Sequence, residues 1–180
     1  MKFKLDFNIE SSGIQLKHRD GVILLGSCFS DSMTSYFQYA GFNAQSNPFG
    51  TLFHPIAIAN TIKASLTNFT DVSVVERDDI FFSWDSGSRI YAYSQEELES
   101  KVIEARIELK NQLMEAKILV VTFGTSWGYK HSKLNQIVGN CHKQASNLFE
   151  KELSSSDEMS KAWAEVAEEI RAVNSSIEIV

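Results

Sequence analysis

The chain has 180 residues, 43% of them hydrophobic and 11% aromatic, which is enough apolar material for a substantial core, and its 22% charged content is ordinary for a globular domain. A formal net charge of -6 opposes nonspecific binding to nucleic acid or to an anionic membrane surface, since both require clustered Lys and Arg, so neither partner is expected. No apolar run approaches the roughly 20 residues of a membrane span, and Met1 to Glu10 mixes Lys, Phe, Leu and Asp without a signal-peptide core, so the sequence reads as cytoplasmic. The two cysteines, Cys28 and Cys141, are far apart and outside any Cys-x-x-Cys spacing, so neither a metal site nor a structural disulfide is expected, and no cofactor is implied.

In chain order, Gly21 opens the apolar run Val22-Ile23-Leu24-Leu25, which Gly26 ends. Four consecutive apolar residues between glycines suit a strand buried on both faces. Ser30-Asp31-Ser32 offers caps for a helix through Met33, Tyr36, Phe37 and Ala40 that stops at Gly41. Asn43 to Pro55 is rich in turn formers and reads as a loop, and Pro55 then suits the first turn of a helix over 56–66. Val74-Val75, Ile80 to Trp84 and Arg89 to Tyr93 are β-rich, with Asp85-Ser86-Gly87-Ser88 as a turn, which predicts a hairpin insertion spanning Ile80 to Tyr93. A long helix is predicted from Gln95 to Glu115, followed by the strongest strand signal, Ile118 to Phe123, ended by Gly124. Asn147 to Val173 is helical by composition, interrupted near Ser154 to Asp157, where a new helix through Trp163, Val166 and Ile170 is capped. Ile177 to Val180 begins a third apolar strand and reaches the terminus without a closing turn, so residues 1–180 read as a single domain incomplete at its C-terminal end.

Buried strands alternating with helices predict a three-layer α/β/α sandwich with a mainly parallel sheet, whose binding site lies outside the carboxyl ends of the strands. Two turns fall at such ends: Gly26-Ser27-Cys28-Phe29-Ser30 and Gly124-Thr125-Ser126-Trp127. A nucleophile on a strand-to-helix turn gains exposure and sits beside backbone N–H groups that stabilise anions and oxyanions. A packed turn with no chemistry is the competing interpretation, and the aromatic residues Trp127 and Tyr129 either wall an apolar or sugar-binding cleft or belong to the core. Asn140-Cys141-His142-Lys143 places an amide, a thiol, an imidazole and an ammonium in a row, a composition suited to a polar site. His54 and His131 are second candidates, and His18 sits in a polar run with no evident role.

Five blocks in order carry a resemblance: Gly26 to Ser30, Asn47-Pro48-Phe49-Gly50-Thr51, Ser83-Trp84-Asp85 with Ser88-Arg89, Phe123 to Trp127, and Asn140 to Lys143. Together they are similar to the motifs of the GSCFA family, which is placed near the SGNH/GDSL hydrolases. The resemblance implies an SGNH-like, flavodoxin-like fold and an ester hydrolase or acyl transferase working through a covalent intermediate on a small-molecule ester, with carbohydrate esters among the candidates. Aligned on the nucleophile block, Cys28 takes the nucleophile position, and a shift of one residue gives it to Ser27. His142 is then a candidate base or substrate-orienting group. Gly50 would be an oxyanion donor; Asn47, Gly124, Ser126 and Asn140 complete the expected oxyanion and substrate-binding set.

The chain departs from the pattern in three places. Ser126 stands where the hydrolases carry an asparagine donor, Gly87 stands where family members carry a histidine, and no Asp-x-x-His occurs. Relatives continue into a Ser-Pro-x-x-His segment that this sequence lacks, so the catalytic histidine is expected beyond Val180 and the 180-residue chain is expected to have little activity. An open strand edge can pair with a second copy, which makes a homodimer a further expectation. The alternative function is a non-catalytic ligand-binding module on a degenerate hydrolase fold, using Asn47, Asn140 and His142 for recognition only.

Overall fold

The structure, a computed structural model, describes residues 10 and 12–180; most of the Met1 to Glu10 stretch therefore lies outside the described residues. The chain runs β1 (Gly21–Gly26), α1 (Cys28–Tyr39), β2 (Asn43–Ser46), α2 (Pro55–Thr67), β3 (Val74–Arg77), β4 (Ile80–Ser83), β5 (Tyr91–Ala92), α3 (Gln95–Glu115) and β6 (Ala116–Thr122). It continues through β7 (Trp127–His131), β8 (Gln136–Ile137), a single 3-10 turn (Ser146–Leu148), β9 (Phe149–Leu153), α4 (Ser156–Val173) and β10 (Glu178–Ile179).

The central sheet has the order β10-β6-β1-β2 and is parallel throughout, with Val22 opposite both Ala44 and Ile118, and Ile179 opposite Leu119. Strand alternation divides its side chains between two cores. Ile23, Leu25, Leu119 and Ile177 face α2, α3 and α4, joining Ile58, Ile62, Leu109, Val166 and Ile170. Val22, Leu24, Ala44 and Ile118 face the other way, where Met33 and Phe37 of α1 pack on them. Burial on both faces is why the two central strands are continuous apolar runs. The result is the expected α/β/α sandwich.

Two small antiparallel sheets are attached to this frame. One, β3-β4-β5, contains the expected pairing within Ile80 to Tyr93, with Phe81 opposite Ala92 and Phe82 opposite Tyr91, and β3 extends it. The other, β8-β7-β9, corrects the sequence reading: Phe149 to Leu153 is a strand paired with β7 rather than the start of a helix. The loop expected over Asn43 to Pro55 likewise begins with strand β2. Helix α1 also starts earlier than expected. Ser27, in extended backbone, is its cap and accepts the Phe29 N–H, so Cys28 is the first helical residue. No helix among the described residues is long and apolar enough to cross a membrane.

Candidate functional site

The Gly26 to Ser30 turn, where a nucleophile is expected, is built where β1 leaves the sheet. Gly26 has φ +122°, and a Cβ there would lie 2.0 Å from the Thr122 carbonyl oxygen of β6, so only glycine lets the two strand ends approach this closely. The Gly26 N–H donates to Asn47 Oδ1 at 2.8 Å. Thr122 Oγ1 then accepts the Ser27 N–H at 3.0 Å and bonds the hydroxyls of Ser27 and Ser30, each at 3.0 Å. Ser27 Oγ is therefore committed twice, to the helix cap and to Thr122. Cys28 is exposed at the first position of α1, and the cap uses the Phe29 and Ser30 amides rather than that of Cys28.

The second block folds over this turn. Asn47 adopts left-handed backbone at φ +43°, and its Nδ2 donates to Asp31 Oδ1 at 2.7 Å. Asp31 also accepts from the Ser46 hydroxyl at 3.0 Å and from Arg89 at 3.1 Å, which ties the β3-β4-β5 insertion to α1. Gly50, at φ +74°, donates its N–H to the Asn47 carbonyl at 2.8 Å, so in this geometry that amide closes the turn instead of pointing to solvent. The Leu52 N–H reaches the Gly26 carbonyl, and the Phe53 carbonyl accepts from Gly124 and Thr125, so residues 47–53 bridge the ends of β1 and β6.

Ser126 and Asn140 lie further out. Ser126 helps line a 480 Å³ pocket bounded by Phe123 and Trp163. Asn140 and Cys141 line a larger cleft, about 610 Å³, between Phe53, His54 and the aromatic residues of β7 and β9; Thr125 borders both spaces. The Gly26 to Ser30 turn, the second block and the strand end before Gly124 are thus directly hydrogen-bonded, whereas Asn140 lines the larger cleft and His142 is buried outside that lining.

Each histidine ring has a structural assignment. His54 caps α2: its Nδ1 accepts the Ile56 N–H, which requires Nε2 to carry the proton it donates to the Ser126 carbonyl at 3.2 Å. Burial holds its pKa below the usual histidine value, partly offset by the Ser126 carbonyl and Glu152. His131 Nδ1 accepts from the amides of Lys133 and Leu134. His142 is only 4% exposed, stacks on Phe82, and donates Nε2–H to the Ser83 carbonyl at 2.8 Å; its Nδ1 is buried and has no hydrogen-bond partner among the described residues. Burial again lowers its pKa, with the Ser83 and Ser86 backbone opposing and Arg77 adding to the shift. His18 packs against Phe42. Among the described residues no group of three or more His, Cys, Asp or Glu is placed to hold a metal ion.

The family model described as GSCFA family matches residues 21–180, which takes in the Gly26 to Ser30 turn and every strand and helix above. The chain belongs to the GSCFA family. No curated protein and no solved structure matches it. In this GSCFA chain, sequence reasoning missed Thr122, Asp31 and Arg89. Thr122 could have been suspected as a lone hydroxyl closing an apolar strand. Asp31 looked like a helix cap, and nothing local marks Arg89 as its partner.

Proposed function

We propose that this GSCFA protein is an SGNH-like ester hydrolase or acyl transferase in which Cys28 is the nucleophile. The observation that supports this most directly is the division of labour at the turn: Ser27 Oγ is committed to the α1 cap and Thr122, and Cys28 stands exposed at the helix N-terminus beyond the carboxyl end of β1. The Cys28 thiolate attacks the ester carbonyl carbon. The C–O bond to the alcohol breaks as that alcohol takes a proton, and the acyl group remains as a Cys28 thioester. Water or an acceptor hydroxyl then attacks the thioester and regenerates the thiol. The substrate proposed is an ester, with carbohydrate esters among the candidates.

The second reading, a ligand-binding module, is favoured by the amides of Gly50, which closes its own turn, and Gly124, which donates to the Phe53 carbonyl, and by the committed histidine rings. Acylation by p-nitrophenyl acetate, followed by mass spectrometry, separates the two. The enzyme reading requires a stoichiometric acetyl adduct on Cys28 that forms faster than on free cysteine at the same pH, is lost in Cys28→Ala, and survives in Ser27→Ala. Acylation no faster than that of free cysteine supports the binding module.

A further inference from the structure

We infer that the cleft between the N-terminus of α2 and the β8-β7-β9 sheet is a binding site for a neutral saccharide, its apolar ring face stacked on Trp127 and Tyr129. Its volume of about 610 Å³ falls within the range of small-molecule sites. Alternation along β7 places Trp127 and Tyr129 on one face of the strand, and both remain about half exposed. The pairing Tyr129 to Lys151 and His131 to Phe149 brings the β9 side chains onto the same face. Lys151 Nζ sits 4.9 Å from the Trp127 ring centroid, and Phe149 meets Tyr129 edge-on at 6.4 Å. Solvent-facing aromatic residues in a concave wall offer a flat surface for the C–H face of a pyranose.

Other lining residues supply polar groups with unused capacity. Asn140 uses its amide oxygen on the His142 N–H at 2.8 Å, leaving its amide nitrogen as a donor. Gln144 uses its amide nitrogen on the Glu76 carbonyl at 2.7 Å, leaving its oxygen as an acceptor. An acyl chain filling this cleft would bury those groups unpaired, which costs free energy, whereas sugar hydroxyls would satisfy them. The wall is held in place before any ligand arrives: Gly139 donates to the Trp84 carbonyl at 2.7 Å, and His142 is anchored on Ser83. Preorganisation lowers the ordering cost of binding. Thr125, also in the lining, belongs to the segment that follows Thr122, the residue holding Ser27. A saccharide stacked on Trp127 would thus border the segment that follows the end of β6, the strand whose Thr122 holds Ser27. That this saccharide is the substrate's carbohydrate part rests on the ester reading; the binding itself does not.

The test is isothermal titration of the 180-residue protein with cellotetraose, xylotetraose and chitotetraose. Saturable binding of at least one, with Kd at or below roughly 1 mM, is expected. Trp127→Ala and, independently, Tyr129→Ala should each weaken it by about tenfold or more at unchanged circular dichroism, and Asn140→Ala by a similar factor, whereas Tyr39→Ala, an exposed aromatic residue outside the cleft, should leave it unchanged. No binding of any of the three, binding indifferent to both aromatic substitutions, or displacement of a bound sugar by decanoate would overturn the inference. Sugar binding without Cys28 acylation would leave the site intact and remove the enzyme reading. Acylation without sugar binding would do the reverse.

Discussion

Arg106 Nη2 lies 3.2 Å from Asp85 Oδ2 with the arginine side chain 1% exposed, so a charge from the middle of α3 is buried against the turn of the β3-β4-β5 insertion. The same guanidinium donates through Nη1 to the carbonyls of Asn68, Phe69 and Asp71, and Asp85 also accepts from the Ser73 hydroxyl. Burial pushes the Asp85 carboxyl above its ordinary range, and Ser73 and Arg106 pull it back. The pair fixes the connection between α2 and β3 and the turn after β4 to a single helix side chain.

Removing Arg106 leaves the largely buried Asp85 carboxyl with Ser73 but without its cation, and takes the guanidinium donor from three carbonyls. Arg106→Met is therefore expected to destabilise the protein by about 3–5 kcal/mol, the range for breaking a buried pair by deleting one partner. Arg106→Met combined with Asp85→Leu should be less destabilising than the sum of the two single changes. Urea unfolding of the four proteins measures the difference, and strict additivity would show that the pair is not coupled.

At the end of β1 the same logic applies to Thr122, whose hydroxyl serves three groups of the Gly26 to Ser30 segment. Thr122→Val keeps the shape and deletes that hydroxyl, with an expected loss of about 1–3 kcal/mol, and Thr122→Ser should restore most of it. Gly26→Ala should be worse, because φ +122° and the approach of the Thr122 carbonyl leave no room for the methyl group. Thermal melts of the three variants, ranked Ser, Val, Ala in order of falling midpoint, would agree with this geometry.

The pH dependence follows from His54 and His142, whose pKa values burial lowers below 6.5. Below that value the unfolded chain protonates these rings before the folded protein does, so it binds more protons and stability falls as pH drops from about 6.5 toward each folded-state value. Each ring can contribute a slope of up to about 1.4 kcal/mol per pH unit in that window. His142→Gln should flatten the profile between pH 7 and 5 relative to the parent, as read from denaturant midpoints. An unchanged slope would mean that the ring titrates alike in both states.

Much of this architecture was legible because it depends on burial on both sides of a sheet. Val22 to Leu25 and Ile118 to Val121 announce central strands, and Pro55 and Gln95 mark the starts of α2 and α3. Phe149-Glu-Lys-Glu-Leu153 was illegible for the opposite reason: its Glu, Lys and Leu favour a helix, and only the ladder with β7 makes it a strand. Edge strand β2 buries Ala44 alone, too little to leave a pattern. At the site, the turn sequence named Ser27 and Cys28 together, but their roles separate only through Thr122, which is 95 residues from Ser27. The Asn140 to Lys143 row suggested one polar cluster, whereas left-handed backbone at His142 and Lys143 turns the imidazole into the core and leaves Asn140 on the cleft.

Turnover, as distinct from acylation, depends on a base, and the histidine rings with hydrogen-bond partners are occupied with the backbone atoms of Ile56, Ser126, Lys133, Leu134 and Ser83. A positioned general base contributes roughly two to four orders of magnitude, so the 180-residue chain is expected to acylate at Cys28 and release product slowly, giving a burst without sustained aryl-ester turnover. His142→Ala and His54→Ala should lower stability, through the loss of a stacked core ring and of a helix cap respectively, without changing the burst per folded molecule. Adding free imidazole should accelerate the slow phase in the parent and in both variants alike. Stopped-flow release of p-nitrophenol resolves the two phases. Sustained turnover abolished specifically by His142→Ala, at unchanged folding, would instead make His142 the base and require its buried Nδ1 to open toward Cys28 during the reaction.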